Sequence, residues 1–420
     1  MCGKELIMTF FPNLRFPGFE GEWIEKKLGN VSNISSGGTP NRNNPSYWNG
    51  IIPWVTTSLI DFNLIETTDE YITNEGLKSS SAKLFPKETL LMAMYGQGKT
   101  RGKIGMLNIE ASTNQACGAI ITDKNILNPF FAFQNLAKRY DEIRDLSNQG
   151  GQENLSGGII KGLGIIFPNL LEQEKIASFF TLIDERLQTQ KKIIEKLETL
   201  MKVSRINIFS QKLRFKDEQG YDFPDWKKLK LGKIGNFQTS SIDKLSKKNE
   251  NEVYLVNYMN VYRHEDINSS TIKSFQKVTA KEQQITSCNL KKGDILFTPS
   301  SETPDDIGHS VVISENLENA VFSYHLMRFR PKIEIDILYS HHFCNVPIVL
   351  NQLSKFATGS TRFTISVKSF SDVEISLPSL PEQKVIGRFL SLVENKIDTE
   401  KQILEKLELQ KKFLLGNLFV

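Results

Sequence analysis

Residues 168–202 read PNLLEQEKIASFFTLIDERLQTQKKIIEKLETLMK, and residues 378–412 read PSLPEQKVIGRFLSLVENKIDTEKQILEKLELQKK. At this constant shift of 210 the two stretches agree at 15 of 35 positions, from Pro168 and Pro378 to Lys202 and Lys412. Typical residue usage gives about two such agreements. Asn207 and Phe209 recur as Asn417 and Phe419, so the match runs almost to the last residue. The chain holds an internal duplication, and the rest of the sequence is organised around it.

Each copy has the pattern of a long helix. Ile176, Phe180, Ile183, Leu187, Ile194, Leu197, Met201 and Ile208 follow alternating steps of three and four, interrupted by Gln190 and Ser204. The second copy places Ile386, Leu390, Val393, Ile397, Leu404, Leu407, Leu414 and Leu418 in the same rhythm, interrupted by Glu400 and Lys411. A heptad seam of this length predicts two helices wound around each other. Gln190 and Glu400 share one seam position, where a polar residue fixes register at some loss of stability. The alternative is two amphipathic helices, each packed on its own domain. Both helices open alike: an apolar run ends in Pro168 or Pro378 and leads into Glu172-Gln173 or Glu382-Gln383. Proline followed by acids suits a helix start.

A fainter repeat precedes the regions between the helices. Leu14-Arg15-Phe16, then Trp23 and Leu28-Gly29, match Leu213-Arg214-Phe215, then Trp226 and Leu231-Gly232. The chain therefore runs lead-in segment, globular region, long helix, and then the same three again. The globular parts, roughly residues 20–167 and 223–377, have diverged much further than the helices. Short alternating runs with Gly, Asn, Ser and Pro between them favour strands and loops with a few helices. Strands are predicted over 51–55, 89–94 and 119–122, with a helix over 128–145; the second region adds strands over 253–258, 294–298, 309–313 and 326–330. The predicted fold class is α+β: two globular α/β-mixed domains separated by two long antiparallel coiled-coil helices, with a pseudo-two-fold internal repeat.

Composition bounds the function only loosely. A chain of 420 residues, 39% hydrophobic and 24% charged, is that of a globular protein with two or three domains. No run approaches the roughly 20 apolar residues of a membrane helix, and the N-terminus makes a poor signal peptide. The scattered cysteines Cys2, Cys117, Cys288 and Cys344 form neither a disulfide framework nor a zinc site, which favours a cytoplasmic location. A net charge of +4 permits nucleic-acid binding without demanding it.

Several loops have the residues to touch phosphates or base edges. Tyr95 to Lys103 packs Gln97, Lys99, Thr100, Arg101 and Lys103 among three glycines, which let backbone approach a ligand while cations neutralise phosphate or read guanine. Ser36, Gly37 and Thr39 form a similar group, as do the run Ser300, Ser301, Glu302, Thr303 and the run Gly359, Ser360, Thr361, Arg362. Tyr258 and Arg263, with Asn260, Tyr262 and His264, combine aromatics with base-reading groups. The bland reading of each is a solvated loop.

Catalytic readings fare worse. Residues 93–100 fit a permissive phosphate-binding loop, but Gly102 and Gly105 weaken the helix that must start at Lys99. Asn128-Pro129-Phe130 lacks one proline of the Asn-Pro-Pro-aromatic motif of amino-methyltransferases. All five histidines lie in the second half, so chemistry common to both halves cannot rest on them. No catalytic residue and no metal site is expected.

The residues together resemble the specificity subunit of type I restriction–modification enzymes over nearly the whole chain. Pro168 through Glu172-Gln173, and Pro378 through Glu382-Gln383, carry the likeness. So do Ser36 to Pro40 leading to Tyr47-Trp48, Ile52 to Val55, Gly102 to Gly105 leading to Asn114 through Cys117, Lys292 to Leu296, and Gly359 to Thr361. The family's glycine-serine-threonine turn is clear only in the second half; the first offers Gly150-Gly151. The resemblance implies target-recognition domains over 1–170 and 211–378, and spacer helices over 171–210 and 379–420. It implies a non-catalytic subunit whose two domains read the halves of a bipartite double-stranded DNA target. It also implies two modification subunits that use S-adenosylmethionine to methylate adenine, and restriction subunits that use ATP and magnesium; this chain itself would hold no cofactor. The competing readings are a coiled-coil scaffold that never touches bases and a self-contained nuclease or methyltransferase.

Overall fold

The computed structural model describes residues 10–96, 99–146 and 154–420. The chain forms two compact units, Met1–Lys191 with Ile403–Val420, and Lys192–Gln402. This division cuts across the sequence-based one, because each unit takes part of both long helices.

The first unit contains strands β1 (Ile24–Lys27), β2 (Ser32–Ser36), β3 (Trp48–Val55), β4 (Leu64–Ile65), β5 (Glu70–Ile72) and β6 (Leu84–Phe85). It continues with β7 (Leu90–Ala93), β8 (Ile104–Leu107), β9 (Ala111–Thr113), β10 (Cys117–Thr122) and β11 (Gly164–Phe167). The main sheet runs β2-β10-β7-β8-β4, a second sheet runs β5-β3-β9-β6, and β1 pairs with β11. Strand β7 is buried along its whole length, and its alternation feeds two cores. Leu90 and Met92 pack in one apolar cluster with Phe131 and Ile165, whereas Leu91 and Ala93 pack in another with Val55 and Phe85.

The second unit contains β12 (Lys227–Lys230), β13 (Gly235–Thr239), β14 (Asn251–Val256), β15 (Gln276–Ala280), β16 (Asn289–Leu290) and β17 (Ile295–Phe297). Strands β18 (Ser300–Ser301), β19 (Ser310–Val312), β20 (Leu317–Phe322), β21 (Met327–Pro331), β22 (Phe363–Thr364) and β23 (Glu374–Leu377) follow. Its sheets run β13-β21-β17-β19 and β15-β14-β20-β16, with β12 paired to β23 and β18 to β22. Apart from the extra edge strand β4 of the first unit and the extra pair β18–β22 of the second, this is the order of the first unit. The one parallel pair in each second sheet recurs too, β3 with β9 and β14 with β20. Strand β17 likewise sends Ile295 and Phe297 to one core and Leu296 to another. Sequences that have lost visible similarity keep one topology.

The predicted strands all appear, with adjusted ends. The stretch 253–258 stops as a strand at Val256, because Asn260 Oδ1 accepts the Asn257 N–H at 2.8 Å and Tyr258 opens a short helix. The helix predicted over 128–145 is two, Pro129–Lys138 and Tyr140–Leu146. Asn128 caps the first of them, its side chain accepting from Phe130 and Phe131 N–H, which accounts for Asn128-Pro129-Phe130 without methyl-transfer chemistry.

The long helices are Leu170–Phe209 and Leu380–Leu418. At 1.5 Å per residue each is about 60 Å long. Within the first unit they run antiparallel, with Asp184 Oδ1 2.6 Å from Lys411 Nζ and Lys191 Nζ 3.4 Å from Glu408 Oε1. Within the second, Glu198 pairs with Lys401 at 2.7 Å in the same sense. Every seam position named from the sequence is buried or half-buried, including the polar pair Gln190 and Glu400. Both predicted packings occur, at different turns. Leu187, Ile194, Leu197, Val393, Ile397, Leu404 and Leu407 follow the heptad face, and Ile183 and Met201 pack against the domain cores at its ends. Ile176 and Phe180 enter the first domain's core, while Ile386 and Leu390 enter the second's.

The repeated motifs turn out to meet one another. Arg15 grips Glu172 with both fork nitrogens at 2.7 Å and donates to the carbonyls of Glu20 and Gly21. Arg214 grips Glu382 at 3.2 and 3.0 Å and donates to Phe223 and Pro224. Both carboxylates are buried, and the paired carboxylate raises the pKa of each guanidinium. Gln173 accepts the Asn128 N–H at 2.9 Å and donates to Pro168 O; Gln383 accepts the Asp336 N–H at 3.0 Å and donates to Pro378 O. Each Pro…Glu-Gln start is thus a socket that joins lead-in segment, domain and helix. Sequence reading found both repeats but not their contact, although their shared recurrence was the available signal.

Candidate nucleic-acid interface

In the first domain the glycine- and cation-rich segment is the hairpin between β7 and β8. Ala93 N–H donates to Lys103 O and Gly102 N–H to Ala93 O, both at 2.9 Å. Thr100 leads into a strand, so no helix N-terminus stands at Lys99 to receive a phosphate. Lys99 is exposed, and its carbonyl accepts from Tyr140 OH at 2.6 Å, tying the hairpin to a helix. Thr100 and Arg101 are half-buried. Lys103 pairs with Asp61 at 2.6 Å, a surface contact weak enough for phosphate to compete with. Gln97 and Gly98 lie outside the described residues, as do Gly150 and Gly151.

Ser36 is exposed at the end of β2, but Gly37 is buried. A Cβ on Gly37 would stand 1.9 Å from the Thr113 carbonyl oxygen, so this glycine serves a close approach within the fold. Thr39 Oγ1 donates to Gln115 Oε1 at 2.5 Å, and Ala116 O accepts the Met94 N–H. The 114–116 turn thereby brings the Ser36–Thr39 segment and the hairpin to one end of the main sheet. Arg42, beside them, stacks on Trp48 and Trp54 and closes its fork on Glu70.

In the second domain the equivalent β17–β19 connection holds Ser300 and Ser301, and it meets the other candidates. Tyr258 and Tyr262 stack at 5.8 Å on one short helix. Tyr258 OH donates to Ser300 O at 2.9 Å, and Arg362 Nη2 donates to Ser300 Oγ at 3.1 Å. With Glu302 and Asp306 these side chains line an open pocket of about 380 Å³ that Thr361 also borders. Ser300 and Ser301 are buried in the β18–β22 pairing, Ser301 bordering the pocket, while Ser360, Thr361 and Arg362 are exposed. Arg263 points elsewhere, 4.0 Å from Glu265. Asp306 accepts from Tyr262 OH at 3.0 Å and contacts His309 Nε2 at 2.9 Å, and His309 Nδ1 lies 3.2 Å from His264 Nε2. The Asp306 bond and charge raise the Tyr262 phenol, and burial raises that of Tyr258, so both remain hydrogen-bond donors. Sequence reading missed Asp306, which stands in no recognisable motif.

Cys117, Cys288 and Cys344 are buried packing groups. Burial pushes the Cys117 thiol up to about 12 and raises that of Cys344. Among the described residues no group of three or more His, Cys, Asp or Glu side chains is placed to hold a metal ion, and no helix is long and apolar enough to cross a membrane.

The geometry defines a class: two domains of one topology with unlike loops, each socketed on a shared pair of antiparallel helices. The family model of the type I restriction modification DNA specificity domain matches twice, over residues 20–199 and 224–409. The chain belongs to this family and is a type I restriction–modification specificity subunit with two target-recognition domains. It is 25% identical over 421 residues to the MjaIX specificity subunit of Methanocaldococcus jannaschii, covering 91% of this chain and 89% of that one. A 176-residue match at 28% identity, 41% of this chain and 43% of the relative, links it to the EcoR124I/EcoR124II specificity subunit of Escherichia coli. The crystal structure of the S subunit from M. genitalium shares the fold, with a TM-score of 0.59, 18% identity and coverage of 98% and 99%.

Proposed function

We propose that this chain reads a bipartite double-stranded DNA target, one half-site per domain, for partner subunits that do the chemistry. The observation that carries the reading is the shared strand order with unlike loops at matched places, the β7–β8 hairpin and the β17–β19 connection. An invariant scaffold with variable tips suits two readers of different sequences. Lys99, Thr100, Arg101 and Lys103, with Ser36 and Thr39, are the proposed contacts of the first domain. Tyr258, Thr361 and Arg362 are those of the second; Gly37, Ser300 and Ser301 support them from within.

The helices would set the unread spacer and seat the partners. Leu182 and Leu392 are identical at the 210 shift and are 65% and 59% exposed on the helices. The Asp184–Lys411 pair sets Leu182 near the level of exposed Phe413, and Val203 and Ile206 are exposed on the helix beside Leu392. One apolar patch per unit supports two modification subunits, which would bring S-adenosylmethionine-dependent adenine methylation. Restriction subunits would add ATP- and magnesium-dependent cleavage.

Electrophoretic retardation with the modification subunits present tests the reading. Sequence-selective, salt-dependent retardation is expected. Assembly with those subunits and no sequence preference would instead make the chain a scaffold, and methylation or cleavage by the purified chain alone would make it an enzyme.

A further inference from the structure

The second domain's pocket has a composition that a phosphate cradle would not have. Glu302 and Asp306 stand in its lining beside Arg362, and a carboxylate on a DNA-facing surface repels the backbone. Asp306 is already engaged by Tyr262 and His309. Glu302 is exposed and makes no hydrogen bond among the described residues. Arg362 is held by one bond to Ser300 Oγ, which leaves the rest of its planar fork open to the pocket. The pocket therefore offers a two-pronged donor and a free acceptor against a wall of two stacked tyrosines.

One base pair matches that set in the major groove. Guanine presents two acceptors, O6 and N7, to an arginine fork, and its partner cytosine presents an N4 amino donor to a carboxylate. Adenine and thymine each lack the paired acceptors. Contrast within the chain strengthens the assignment: the Arg42 fork is closed on Glu70 and has no such freedom. We infer that the Tyr258–Tyr262–Glu302–Arg362 pocket reads a G·C pair in the second half-site, Arg362 taking the guanine and Glu302 the cytosine. This rests on the bipartite-target reading above.

The experiment uses the full chain assembled with its modification subunits. Adenine-methylation mapping defines the target, and competition binding then uses duplexes changed one base pair at a time. The second half-site is expected to contain a G·C pair whose replacement weakens wild-type binding roughly tenfold. Arg362→Ala and Arg362→Lys should both lose that discrimination, because lysine keeps the charge and not the fork, while Glu302→Gln should loosen the same position. The first half-site and the spacer should be unchanged, which also reports that the variants are folded. A second half-site of A·T pairs alone would overturn the inference. So would an Arg362→Lys variant that binds every duplex as wild type does, with Arg362→Ala weakening all duplexes evenly. A target with no bipartite form, or Arg362 variants that alter the first half-site, would overturn the reading beneath it.

Discussion

Arg15 and Arg214 show how much one residue can carry at a junction of three elements. The side chains of Glu172 and Glu382 are 1% and 0% exposed, so removing either arginine strands a buried carboxylate. Arg214→Ala should lower the unfolding free energy by about 3 kcal/mol, read as a fall in the urea midpoint; Arg214→Lys should recover only part, lacking the fork. The loop cations belong to the other extreme. Replacing Lys99 or Arg101 with alanine should affect the first half-site alone. A base contact gives a loss of about 1–3 kcal/mol at one position, and a phosphate contact gives even weakening with a shallower salt dependence. Binding titrations on duplexes varied in each half-site separate the two. Residue roles were the least legible part of the sequence. Gly37 reads as a ligand-facing glycine and is a packing glycine, because a backbone carbonyl from a distant strand lies against it. Arg214 reads only as part of a faint repeat, because its partner is 168 residues away.

The helices were legible because a seam repeats every seven residues whatever lies around it. Their ends were not, since Ile176 and Ile386 have the same spacing as true seam residues and yet enter domain cores. A four-residue insertion between Thr189 and Gln190 adds about 6 Å of helix. It should lengthen the spacer mapped by adenine methylation and leave both half-sites intact; an unchanged spacer would refute the role of the helices in setting it. The domain-to-helix anchors make a second prediction. Gln134 donates to Asp184 at 2.7 Å in the first unit. The matching residues of the second unit are His342 and Glu394, 4.0 Å apart, with Arg205 acting on both. Burial, aided by Arg205, depresses the His342 pKa to about 3. An unfolded histidine takes its proton near 6.5. Stability is therefore full above about pH 6.5 and declines as pH falls toward 3, by about 1.4 kcal/mol per pH unit. Glu394, raised by burial, acts in the opposite sense nearer its own range. His342→Gln should remove about 1 kcal/mol of the stability lost between pH 6.5 and 5.5, and denaturation midpoints at the two values check it.

At the scale of the molecule, the duplication was plain in the sequence but its extent was not. The 210-residue shift is visible only where side chains must keep one partner, along the helices and at the sockets. Between them, strands β2 to β10 and β13 to β21 keep their order through pattern alone, and pattern survives replacement of every residue by another of its class. The exposed loop tips, such as Lys99 and Ser360 to Arg362, are free to change because they lie outside the cores. That separation has a consequence for inheritance. The sockets made by Arg15, Glu172 and Gln173, and by Arg214, Glu382 and Gln383, hold the same backbone positions of either domain. Each domain is in effect a cartridge with a standard fitting. A chain carrying the 20–167 cartridge in both fittings should fold and, assembled with the modification subunits, direct methylation to a target built from one half-site twice, as methylation mapping would show. A lineage could then acquire a new target in a single recombination event, without retuning the partners that act on it.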